Sequence, residues 1–231
     1  MTITPTTLFR AAGAAAALAG LIFIGVQINH PYLDATSITT ADAMTRDSLK
    51  MLMAALALAG LTGMYLRQVT KIGLLGLLGY VLFAAGYLLM LGTEFVAAFV
   101  LPTLAHSAPA YVNDVIAAAN NGTATGDIGL MQTVILVTGI AYLAGGFIFG
   151  IALFRANVLA RWAAALLAVG TLATIATGIM PQYERLFAIP TGVALIGLGY
   201  SLWRQQRTPA ARPVRPVPSP VSSQLGPAGA R

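Results

Sequence analysis

Residues 72–101 read IGLLGLLGYVLFAAGYLLMLGTEFVAAFVL, an apolar run interrupted only by Thr93 and Glu94. An α-helix rises about 1.5 Å per residue, so roughly 20 apolar residues cross a hydrocarbon core of about 30 Å. This run is thirty residues long, more than a perpendicular crossing needs, so it tilts or protrudes from the membrane. It predicts a transmembrane helix over 72–99.

Five further apolar runs flank it. Two precede it, at about 11–29 and 48–66, and three follow, at about 130–153, 162–180 and 187–203. The fold class they imply is all-α, a polytopic bundle of six transmembrane helices forming one domain over 1–204. Composition agrees, because 58% of the 231 residues are hydrophobic and 9% are charged, whereas a soluble domain carries about a quarter charged residues. Arg67, Gln68 and Lys71 leave room only for a tight turn between the second and third helices. The segment 102–127 holds Pro, Asn, Gly and Thr around a short helix-like piece at 111–119, and it reads as an external cap. From 205 to 231 there are six prolines and scattered Arg and Ser, too little apolar surface to offset ordering entropy, so a disordered basic tail is expected. The first run ends in Gln27-Ile28-Asn29-His30-Pro31 without a small-residue cleavage pattern, so it reads as a retained helix rather than a signal peptide.

Charge sets the expected orientation. With Met1 inside, the inner segments hold Arg10, Arg67, Lys71, Arg155, Arg161, Arg204, Arg207, Arg212, Arg215 and Arg231, ten of the thirteen bases. The outer side holds Arg46, Lys50 and Arg185 together with all seven acids. Short inner loops enriched in Lys and Arg are the pattern that fixes topology, so both termini are expected in the cytoplasm and the chain in the plasma membrane. The same placement explains the net charge of +6 without nucleic acid as a partner.

The chain has no cysteine, which excludes thiolate chemistry and cysteine-ligated metal. His30 and His106 lack the short spacing of a metal pair, and no hydrolase, phosphate-loop or dinucleotide motif appears. No cofactor and no metal are expected. Glu94 is the strongest candidate for a binding role, since a carboxylate within an apolar run is costly unless it meets water, a partner or a ligand. Its bland reading is a structural acceptor for Gln132 or Thr133. Gln27, His30 and His106 lie at the expected outer rim and join it as substrate-binding candidates. Thr174 and Thr177 do so from the fifth helix, where with Thr171 they share a face and otherwise bond to carbonyls one turn back. Gly139, Gly146 and Gly150 on the fourth helix and Gly20 on the first are expected helix-packing positions, small residues that let backbones approach.

Three pieces carry a resemblance: Leu8 to His30-Pro31, GMYLRQV at 63–69, and FGIALFRA at 149–156 with LARWAA at 159–164. Over about 8–203 the chain resembles uncharacterised six-helix integral membrane proteins of high-GC Gram-positive bacteria. That resemblance implies a plasma-membrane location and six helices, and it brings no substrate or site residues. The function expected from the residues is a non-enzymatic structural or partner-binding membrane protein, the alternative being a transporter or facilitator of a small neutral or lipid-like molecule. Its expected partners are membrane lipids and either a membrane protein or a second copy of the chain.

Overall fold

The computed structural model describes residues 4–29, 32–120, 122–175 and 184–205. His30, Thr177 and the tail from 206 onward lie outside them. The described chain is helical throughout its apolar runs. Helix α1 spans Pro5–Gly25, starting earlier than hydropathy alone predicts because the Thr4 hydroxyl caps the Thr7 amide and Pro5 fills a position that needs no amide hydrogen. Helix α2 spans Ala41–Arg67, capped by Thr40 with Asp42 in its first turn, so the charged segment before the second apolar run is already helical. Helix α3 runs over Val69–Leu104, 36 residues, or about 54 Å at the usual rise. It kinks at Gly73, whose φ of 63° suits glycine, and it widens to a π-turn over Val96–Val100. The cap helix α4 covers Pro109–Ala119, α5 covers Met131–Ala156, α6 covers Arg161–Ala173 and α7 covers Glu184–Gln205.

Five of these helices, α1, α2, α3, α5 and α7, are long and apolar enough to cross a membrane, while α6 is a shorter apolar helix of 13 described residues. The protein is therefore an all-α polytopic membrane bundle. Its surface agrees, since α3 exposes Leu74, Leu77, Leu78, Val81 and Leu88 and α5 exposes Leu136, Val137 and Ile140, a periphery that water would not tolerate over such an area. Each helix packs on its neighbours in the order α1, α2, α3, α5, α6, α7, and α7 closes the ring on α1.

Two seams of that ring depend on missing side chains. Along α1·α7 a Cβ added at Gly20 would lie 2.4 Å from the Gly192 carbonyl oxygen, and one at Gly199 would lie 2.5 Å from that of Gly13. Along α3·α5, Gly79 and Gly86 meet the backbone of Phe149 and Tyr142, and Gly145 meets that of Phe83. Lipid supplies no hydrophobic drive for helix association, so such close backbone approach is what the bundle relies on. Between the seams the centre is filled by Met53, Leu61, Phe83, Tyr87, Phe149, Leu167 and Leu198, all essentially inaccessible.

A second, smaller core lies at one end. Ile38, Leu101, Ala105, Val112, Val115, Ile116, Ala118 and Ile128 pack together away from the bundle centre. The cap is thus built from more than 102–127, because the connection after α1 contributes Ile38 and the Ala35 amide donates to Asn113 Oδ1 on α4. This is the cap end. At the other end sit Arg10 over the Trp203 ring and Arg161 over the Phe154 ring, with Arg67, Arg155 and Arg204 in the last turns of their helices.

Candidate functional site

The polar residues that matter most lie where α2 and α3 meet the cap. Asp47 and Lys50 stand three apart on α2 and so share one helical face. Lys50 Nζ is 2.9 Å from Asp47 Oδ1 and 3.8 Å from Glu94 Oε2 on α3. Asp47 is 1% exposed, and its Oδ2 is buried without a hydrogen-bond partner. One ammonium therefore serves two carboxylates, and only the Asp47 contact has hydrogen-bond length.

Glu94 and Lys50 line two adjoining cavities. The larger, about 320 Å³, lies between α3, α5 and the underside of α4. Its wall is mixed: Met90, Val96, Leu101, Val115, Ile116, Met131 and Ile135 are apolar, while Lys50, Thr93, Glu94, Asn120 and Thr138 are polar. The smaller, about 210 Å³, lies against the end of α1 and is lined by Phe23, Val26 and Gln27 together with Lys50, Met53, Met90, Glu94 and Asn120. The π-turn that follows Glu94 has a local cause, since Pro102 lacks an amide hydrogen and its ring would crowd the carbonyl one turn back. The widened turn instead bonds the Leu101 amide to the Val96 carbonyl, and both residues face the larger cavity. Such bulges recur at functional sites.

Below the cavities the bundle is closed. The rings of Phe83, Tyr87 and Tyr142 cluster with centroids 4.9–5.6 Å apart. The hydroxyls of Tyr87, Tyr142 and Thr191 are buried there, with that of Tyr142 beside those of Tyr87 and Thr191. Thr138, on the cavity wall, is one helical turn from Tyr142, about 6 Å along α5.

The cap is held by carboxylates acting as local acceptors. Asp34 Oδ1 accepts from the amides of Thr36 and Ser37 and from the Ser37 hydroxyl. The Ser37 amide, then its hydroxyl, holds the Asp34 carboxyl below its ordinary value. Asp114 on α4 accepts from the Thr125 amide and hydroxyl and from the Gly126 amide. The Thr125 amide, then its hydroxyl, lowers it likewise. Arg46 ties α1 to α2, donating to the Val26 and Ile28 carbonyls and pairing with Asp42 at 2.8 Å.

Of the residues singled out by sequence, Glu94 and Gln27 share the smaller cavity. Glu94 meets Lys50 rather than Gln132 or Thr133. His106 is exposed on the cap and is not among the residues lining either cavity. Thr174 donates to the Thr171 carbonyl near the end of α6 and lines neither cavity. Gly146 and Gly150 pack against Thr171 and Ala168 of α6, and Gly20 against Gly192. Gly139 differs from its expected packing role, since nothing lies within 4 Å of where its Cβ would be and it borders the larger cavity instead. Asp47 falls in the charged stretch ahead of the second apolar run, where hydropathy gives no helix, and so is not among the sequence candidates. The signal that points to the pair is Lys50, a base inside the second apolar run, which faces an acid inside the third.

No family model, no curated protein and no solved structure matches the chain. Among the described residues no group of three or more His, Asp or Glu side chains is arranged to hold a metal ion.

Proposed function

We propose that the chain is a six-helix plasma-membrane protein with cytoplasmic termini that works by binding, not catalysis, and that its cavity beneath the cap takes a small amphiphilic molecule from the outer side. The observation that carries this reading is the mixed lining of the 320 Å³ cavity, apolar along α4 and α5 and charged at Lys50 and Glu94. Sites for small molecules start at about 300 Å³ and combine an apolar wall with a few polar groups that orient the ligand.

Chain direction supports six crossings. Helix α6 starts at the basic end, just after Arg155, and α7 finishes there with Trp203 beside Arg10. With 22 residues α7 is long enough to span, and α6 starts at the end where α7 finishes, which supports one crossing by each. An even number of crossings puts both termini on one side, and the basic loops make that side cytoplasmic. The cap end, with its paired Arg46 and Lys50, then faces outward.

A second reading is a facilitator of such a molecule. The buried hydroxyls of Tyr87, Tyr142 and Thr191 favour it, because they lie where a descending ligand would next meet polar groups. The packed aromatic cluster at that level favours binding over open passage.

The test is photolabelling in native membranes with a short-chain alcohol carrying an alkyl diazirine, followed by peptide mapping. Saturable adducts on Met90, Val115 or Ile135 are expected. Labelling confined to lipid-facing leucines such as Leu74 and Leu78 would contradict the reading.

A further inference from the structure

The charges around the cavity specify a headgroup, provided that the cavity is a ligand site as proposed above. Asp47 and Glu94 bring two carboxylates to one ammonium, and Lys50 Nζ sits at 2.9 Å from the first and 3.8 Å from the second. Asp47 Oδ2 is buried with no partner, and Glu94 has no contact of hydrogen-bond length with its counter-ion. Among the described residues no second base makes up the difference, because Arg46 is committed to Asp42 and to two carbonyls of the α1 end. Asp34 and Asp114 add further negative charge on the cap above. A carboxylate that is partly withdrawn from water and incompletely paired is costly, and a low-dielectric cleft carrying surplus charge of one sign concentrates ions of the other.

We infer that the cavity binds an amphiphile bearing one positive charge, a short alkylammonium, with its nitrogen beside Glu94 and its chain beneath α4 against Met90, Val115, Ile116 and Ile135. The ligand adds a second ammonium at Glu94, which Lys50 approaches only to 3.8 Å, and its chain covers apolar wall on the far side. An anionic headgroup gains little there, since Lys50 is already held by Asp47, and it meets the surplus carboxylate.

Three radiolabelled probes of equal chain length separate the possibilities: n-octylammonium, n-octanol and n-octyl sulfate. Each is titrated onto the full chain in phosphatidylcholine nanodiscs, with binding to empty discs subtracted. The ammonium should bind about tenfold more tightly than the alcohol, the scale of a partly desolvated charge pair, and the sulfate more weakly than either. Glu94→Gln should bring the ammonium to the level of the alcohol and leave the alcohol unchanged. Equal binding of ammonium and alcohol to the unaltered protein overturns the charge assignment while keeping the ligand site. An ammonium preference that persists in Glu94→Gln overturns the role of Glu94. The absence of saturable binding by all three probes overturns the ligand site itself. The three-probe comparison needs no variant, so it decides the matter even if Glu94→Gln fails to fold.

Discussion

The glycines show how much a single position can differ from its neighbours in sequence. Gly20 and Gly139 both lie within apolar helices, yet a methyl group at Gly20 would press on the Gly192 carbonyl at 2.4 Å, while one at Gly139 would meet open space. Gly20→Ala should therefore lower stability by about 1–3 kcal/mol, the usual cost of overpacking. Gly139→Ala should be neutral or gain up to about 1 kcal/mol from helix propensity. Thermal unfolding of both variants in the same detergent checks the pair, and equal shifts would contradict the seam geometry. Sequence alone cannot make this distinction, because a small residue in an apolar helix is compatible with a helix contact, a cavity wall or a lipid face. The same limit applies to the charges. Glu94 was legible as an acid where acids are expensive, but its partner was not. Lys50 sits 44 positions away, and only the packing of α2 on α3 brings them together.

Caps and turns account for most of what hydropathy missed in the elements. Apolar runs locate helices by their lipid-facing length, so a run at about 48–66 does not show the extension of α2 back to Ala41, although the Thr40 cap and the acid in its first turn are ordinary helix-start signals. The thirty-residue run, expected to tilt or protrude, continues past Glu94 through the π-turn to Leu104 and delivers Leu101 to the cap core. The cap itself depends on two solvent-exposed carboxylates. Hydrogen bonds from backbone amides depress both Asp34 and Asp114 below the ordinary aspartate value of about 3.8. A group with a depressed folded value contributes stability that is complete above its unfolded value and is lost as pH falls through the folded one. The Ser37, Thr125 and Gly126 amides should therefore keep their hydrogen-exchange protection from neutrality down to about 3.8 and lose it below, after correction for intrinsic exchange. The amides of α5 should not follow. Loss of cap protection on raising the pH instead would contradict the assignment.

At the scale of the whole molecule, the polytopic all-α class was plain from composition and run length because lipid leaves few alternatives. The cavity was not, because it arises where the cap core and the bundle core fail to merge. Met90, Asn120 and Thr138 come from three separate elements to line it. Charge also distributes by end: the ion pairs among the described residues, Arg46 with Asp42 and Lys50 with Asp47 and Glu94, all lie at the cap end. The bases there are thus neutralised locally, whereas Arg10 and Arg161 at the other end lie over aromatic rings, as interface anchors do. The proposed cavity is outward-facing and ligand-accessible above a packed bundle core, and the absence of native cysteine permits a direct test. Thr93→Cys and Asn120→Cys place single thiols on the cavity wall, and Ala164→Cys places one in the buried core. A membrane-impermeant maleimide applied to intact cells should label the first two and not the third, and a saturating short-chain amphiphile should protect both. Labelling only after the cytoplasmic face is opened, or labelling that no amphiphile slows, would contradict the account.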